Sequence, residues 1–160
     1  MNAIGELVGD RDIELDLDVS DGAGLLGRIA AMLAPRLALS EKKVRESLEA
    51  REQLGSTGLG HGVAIPHARM TQCNAAAGVV VRTKVAIPFD APDGRPVSIF
   101  LGLVVPKEAN ERHLKLLATA AAMFSDRTFR EKLKACGDRN AMRQLLMGWS
   151  DAPNAGGSSR

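Results

Sequence analysis

Tyrosine is absent from this 160-residue chain, tryptophan occurs once and phenylalanine four times. A core must therefore be built from aliphatic side chains and alanine. The basic stripes with interleaved aromatics that track nucleic acid are missing too, and 21 basic against 19 acidic residues leave a net charge of only +2; nucleic acid is excluded as the expected partner. No apolar run approaches the roughly 20 residues that cross a bilayer, and the start, Met1 to Val8, has neither a basic leader nor a long apolar stretch. We expect a cytoplasmic protein without membrane insertion. Cysteine is scarce: Cys73 and Cys136 lie far apart and form no CxxC pair, so neither a disulfide framework nor a zinc site is indicated, and both are expected as reduced, inert thiols. An HExxH motif is absent, which leaves a metallohydrolase built on His61, His67 and His113 without a ligand pattern. We expect no metal and no cofactor.

What is present is mostly periodic apolar sequence, of a length suited to one domain over residues 1–149. Residues 3–8 read as a short helix, and Asp12 to Val19 alternates strictly, a half-buried strand with Ile13, Leu15, Leu17 and Val19 facing one way. Asp21 caps a helix with the stripe Leu25, Leu26, Ile29, Met32 and Leu33, which Pro35 should end or kink. Ser40 caps the next, with Val44 and Leu48 inward and Arg51 on the same face, and Gly55 offers its stop. Strands are expected over Ala75 to Val81, Lys84 to Pro88 and Val97 to Val105, the last so continuously apolar that both its faces should be buried. From Asn110 helical spacing returns. Leu114, Leu117, Ala118, Ala121 and Phe124 form one stripe with His113 at its edge, and two more helices start at Ser125 or Asp126 and at Asp138. Ser150 to Arg160 has nothing to bury and is expected to be a disordered tail. The fold class is α/β, a mixed sheet flanked by helices.

Arg51 to Arg69 departs from what a core requires. It holds arginines at both ends, the hydroxyl pair Ser56 and Thr57, the glycines Gly55, Gly58, Gly60 and Gly62, and Pro66 before His67. A neutral imidazole is a nucleophile available near pH 7, since its unperturbed pKa is roughly 6.5. Once phosphorylated it needs donors and positive charge, which hydroxyls, glycine-rich backbone and an arginine fork supply. Pro66 fixes its own φ and biases Ile65 toward an extended backbone, a stiff support for His67. The same residue types also suit a structural histidine and glycines that only punctuate a loop. The segment matches neither GxxxxGK[ST] nor GxGxxG.

The run Arg51-Glu-x-Leu-Gly-Ser-Thr-Gly-x-Gly-x-Gly-x-Ala-Ile-Pro-His67-Ala-Arg, with Glu111-Arg-His113-Leu-Lys-Leu-Leu and a following Phe-Ser-Asp, resembles the IIA proteins of the phosphoenolpyruvate-dependent phosphotransferase system. The likeness is to the fructose and mannitol class, and within it to the nitrogen-regulatory IIA proteins. It implies a mixed sheet flanked by helices and phosphorylation of His67, on Nε2, by a phospho-HPr-type carrier. It further implies that His113 positions the phosphoryl group and that Arg51, Ser56 and Thr57 handle the phosphate. No metal is implied. His61 falls at a variable point of the motif and receives no role; Arg69 is as well suited to a plain surface charge as to partner docking. The expected protein is a phosphocarrier, not a free-standing metabolic enzyme, which signals nitrogen, carbon or potassium status by phosphorylation-dependent binding to partners such as kinases or transporters. A sugar-specific IIA feeding a membrane permease and a phosphorylation-silent binding module of the same fold are the alternatives.

Overall fold

The strand from Val97 to Pro106 (β6) organises the molecule because it is buried along nearly its whole length, as its unbroken run of Val, Ile, Leu and Phe demands. The computed structural model describes residues 2–108 and 110–151. The earlier elements are helix α1 (Ala3–Leu7), a 3-10 turn at Asp10–Asp12, strand β1 (Ile13–Leu17), helices α2 (Gly22–Leu37) and α3 (Glu41–Leu54), and strands β2 (Gly58–Gly60), β3 (Val63–Ala64), β4 (His67–Met70) and β5 (Ala77–Ile87). Helices α4 (Glu111–Ser125), α5 (Arg127–Ala135) and α6 (Arg139–Gly148) follow β6. The sheet runs β1-β5-β6-β3-β2, and β4 also pairs with β6. It is mixed: β5 is antiparallel to β6, while β3 and β4 are parallel to it.

Two apolar layers enclose the sheet. One joins α2 and α3 to Val79, Val81, Phe100 and Val104; the other joins α1 and α4 to α6 to Val80, Ile99, Leu101 and Leu103. Contact with the first layer is so close at Gly102 that an added Cβ would lie 2.6 Å from Ile29 Cγ2. Aliphatic interdigitation replaces the missing aromatics, with one edge-to-face pair, Phe89 and Phe100, 5.1 Å between centroids. The side chains of Asp21, Ser40, Asn110, Asp126 and Asp138 cap the helices they precede.

Four expectations are corrected. Ile13 and Leu15 enter the α4 to α6 layer, but Leu17 and Val19 pack on the α2 and α3 layer. The switch occurs at Asp16, which has φ 57° at a register shift against β5, so the strand's facing inverts there. Of the two effects expected of Pro35, ending α2 there is the one overturned: the helix runs on to Leu37 and closes with Leu39 N donating to Ala34 O at 3.1 Å. Arg36, beyond the proline, holds this end down by pairing with Asp12 at 3.0 Å and donating to Gly78 O at 3.0 Å. Ala75 to Val81 and Lys84 to Pro88 are not separate strands, since β5 continues through Arg82, whose guanidinium donates to the Leu133 and Cys136 carbonyls at 2.9 and 2.7 Å. Finally, α4 buries Leu116, Ala120, Met123 and Phe124 and leaves Leu114 51% exposed. Residues 116 to 124 are apolar almost all round, so spacing alone did not select the phase. The expected tail lies, from residue 152 on, outside the described residues. Among those residues no helix is long and apolar enough to cross a membrane.

Candidate functional site

The site begins where α3 stops. Arg51 reaches forward to the helix end and donates from Nη1 to Gly55 O at 2.8 Å, a cation on a C-terminal carbonyl that the helix dipole favours. Glu52 reaches further forward. Its carboxylate accepts both Thr57 N–H (2.7 Å) and Thr57 Oγ1–H (2.8 Å), so the chain three residues past the helix end is clamped by two charge-assisted bonds. Ser56 Oγ donates to Phe89 O at 2.9 Å and accepts from Gly58 N at 3.0 Å. Space at Gly58 is tight: a Cβ there would lie 3.0 Å from Ala91 Cα. Both hydroxyl protons of the Ser56–Thr57 pair are thus committed inside the protein.

The turn between β2 and β3 has positive φ at three successive residues, Gly60 (86°), His61 (59°) and Gly62 (82°). Its N–H at His61 donates to Asp93 Oδ2 at 2.8 Å, and the His61 carbonyl accepts from Lys134 Nζ at 3.1 Å. This part of the glycine-rich backbone therefore cradles a carboxylate of its own chain. Asp93 is held below the usual carboxylate range mainly by the N–H groups of His61 and Arg95.

Strands β3 and β4 follow one path along β6. Val63 pairs with Ile99 and His67 with Leu103, the same offset of 36 residues on both sides of Pro66. The path is broken between them because Pro66 has no N–H for the ladder and Ile65 N donates to Thr57 O at 3.0 Å instead. Pro66 still accepts from Leu103 N at 2.9 Å. His67 therefore opens β4 on a backbone fixed from both flanks. Its Nδ1 lies 2.8 Å from Ile65 O. A carbonyl only accepts, so this bond puts the proton on Nδ1 and leaves the Nε2 lone pair as the ring's nucleophilic site. Burial is the main cause that lowers the pKa of His67; the Ile65 bond opposes it, the Arg51 charge lowers it further, Glu52 raises it and Arg69 lowers it. The ring is neutral at pH 7 and faces two guanidinium charges.

Of the residues marked in the sequence, Arg51 and His67 are thus brought into one electrostatic environment, and Ser56 and Thr57 build the loop beside them. Arg69 shares the face of β4 with His67, two residues on, and belongs to that environment as well. His113 sits in the first turn of α4, where Asn110 N donates to its Nδ1 at 3.4 Å and Asn110 Oδ1 accepts from its own N–H at 3.0 Å. That arrangement leaves Nε2–H as the donor of His113. His61 is on the exposed turn, away from these contacts. Glu52 was missed, although it stands inside the motif next to Arg51; Asp93 and Lys134 carry no local sign of their contact with the turn. Among the described residues no group of three or more His, Cys, Asp and Glu side chains is arranged to hold a metal ion, so His61, His67 and His113 are no shared ligand set.

The chain matches the family described as phosphoenolpyruvate-dependent sugar phosphotransferase system, EIIA 2, over residues 6–148. A nitrogen regulatory protein of Pseudomonas aeruginosa is 38% identical over 124 residues, covering 77% of this chain and 80% of the relative. The crystal structure of the nitrogen regulatory protein IIA-Ntr from Neisseria meningitidis superposes with a TM-score of 0.87 at 41% identity, over 91% of this chain and 99% of that one. IIA mannitol from Escherichia coli, at 17% identity, shares the fold with a TM-score of 0.73 over 86% and 97% of the two chains.

Proposed function

The chain belongs to the EIIA 2 family of the phosphoenolpyruvate-dependent sugar phosphotransferase system, in its nitrogen-regulatory branch, and from that we propose that it is a regulatory phosphocarrier with His67 as the phosphoryl acceptor. The observation that carries the reading is the hydrogen bond from His67 Nδ1 to Ile65 O, which frees Nε2. In transfer from a phospho-HPr-type carrier, Nε2 attacks phosphorus in line while the donor's N–P bond breaks and its electron pair returns to the donor ring. The Ile65 carbonyl stabilises the positive charge that the His67 ring gains, and the depressed pKa keeps the nucleophile unprotonated beforehand.

Arg51 and Arg69 stabilise the negative oxygens in transit. His113 offers Nε2–H to the same group and positions it. Ser56 and Thr57 serve the phosphoryl group chiefly through the loop they fasten; a direct bond from either hydroxyl requires it to leave Phe89 O or Glu52. Exposed Leu54, Leu59 and Leu114 supply apolar contact for the carrier. Phosphorylation then adds close to two negative charges and alters binding to regulatory targets such as kinases or transporters. The working unit is residues 1–149, acting in the cytoplasm.

Incubation with phosphoenolpyruvate, enzyme I and an HPr-type carrier should give one acid-labile phosphate by mass spectrometry, absent from His67→Ala protein. A retained label in that variant removes His67 as acceptor, and no label on the unaltered protein makes it a silent binding module. Support of sugar phosphorylation would instead assign it to the permease-feeding class.

A further inference from the structure

A cleft lies beside the Gly60–Gly62 turn, with a volume of about 570 Å³. Arg95, Arg127, Arg130 and Lys134 line it, with Glu131 as the acid among its lining residues. Glu131 is engaged by Arg127 at 3.2 Å, and Asp93, at the turn beside Arg95, already accepts two backbone N–H groups. Arg130 and Lys134 rely on neutral carbonyls: Arg130 donates to Phe124 O at 2.9 Å and Lys134 to His61 O at 3.1 Å. Arg130 is only 8% exposed. Arg130 and Lys134 thus carry their charge on carbonyl partners, and an anion sharing the space would balance it.

We propose that this cleft binds a small phosphate-bearing anion at a site distinct from His67. Arginine forks suit the several oxygens of a phosphate, the lysine adds a mobile point charge, and the volume falls within the 300 to 1,000 Å³ or so usual for small-molecule sites. Binding is coupled to the turn, because Lys134, which would engage the anion, also donates to the His61 carbonyl. The inference does not rest on the phosphocarrier reading.

The test is a titration of ¹⁵N-labelled protein with inorganic phosphate and then pyrophosphate, at constant ionic strength maintained with chloride. Saturable amide shifts are expected at Gly60–Gly62, Arg95–Ser98 and Arg127–Lys134, with pyrophosphate the tighter ligand. An Arg95→Ala, Lys134→Ala double variant changes only exposed residues and should weaken binding at least about tenfold. His67→Ala protein should give the same shifts as the unaltered chain, which separates this site from the phosphoryl acceptor. Shifts that fail to saturate, or that map only around His67, overturn the proposal. So does saturable binding of a hexaglutamate peptide without binding of pyrophosphate, which would make the cleft a docking surface for acidic protein segments.

Discussion

The two ends of the glycine-rich stretch hold a carboxylate in the same way and to different effect. At one end Thr57 gives its N–H and hydroxyl to Glu52; at the other His61 gives its N–H to Asp93. Glu52 is partly buried, comes from the helix just before, and acts on the proton affinity of His67. Asp93 is exposed and comes from 32 residues further along the chain. A clamp inside the protein can set stability and reactivity together, whereas one in water mainly holds a shape. The histidines follow the same division: His67 is pinned beside the inner clamp, His61 rides on the outer one.

The sharpest test of that division pairs the two histidines. Transfer to His67→Ala should fall to background, while His61→Asn, whose side chain tolerates a left-handed backbone, should accept phosphate at the unaltered rate. Comparable losses in both variants would erase the distinction. Next in size is the clamp itself. Thr57 is 6% exposed, and Thr57→Val takes a donor from a charged acceptor, so unfolding should become easier by about 1.5 to 3 kcal/mol. Asp93→Asn keeps an acceptor in place and should leave the denaturation midpoint nearly unmoved. A smaller effect separates two glycines. Gly60→Ala places a side chain at φ 86° and should cost about 1 to 2 kcal/mol, whereas Gly55, extended and with open space around its Cβ position, should accept alanine at little cost.

Sequence made the architecture legible where one pattern dominated. The buried strand β6 and the capped starts of α2 to α6 follow from apolar continuity and from Asp, Ser and Asn ahead of helical spacing. It failed where a single backbone angle decides, as at Asp16, which turns Leu17 to the other layer, and where apolar residues surround a helix, as in α4. The site was legible in the same uneven manner. His67, Arg51 and the hydroxyl pair stand together in one motif. The position of the proton on His67 depends on the Ile65 carbonyl two residues back, across Pro66 where the strand is interrupted. Asp93 and Lys134 reach the turn from 32 and 73 residues away, and no local pattern encodes such pairings.

The finest distinction concerns how the charges around His67 divide its proton affinity. Arg51 lowers the pKa, Glu52 raises it by less, and Arg69 lowers it least of the three, all on top of the dominant effect of burial. Following His67 ring protons by NMR against pH should therefore show the midpoint rising in Arg51→Gln, falling in Glu52→Gln and rising least in Arg69→Gln. The same linkage gives the sign for stability. In the unfolded chain this histidine titrates near 6.5, and in the folded protein below it. Between those two values the unfolded state binds more protons, so stability is full above about 6.5 and is lost as pH falls through the folded pKa. Arg51→Gln should narrow that window and Arg69→Gln should narrow it slightly. If Arg69→Gln leaves the midpoint unchanged while Arg51→Gln moves it, Arg69 has no part in setting the proton affinity of His67, and the inner clamp with Arg51 alone tunes the nucleophile.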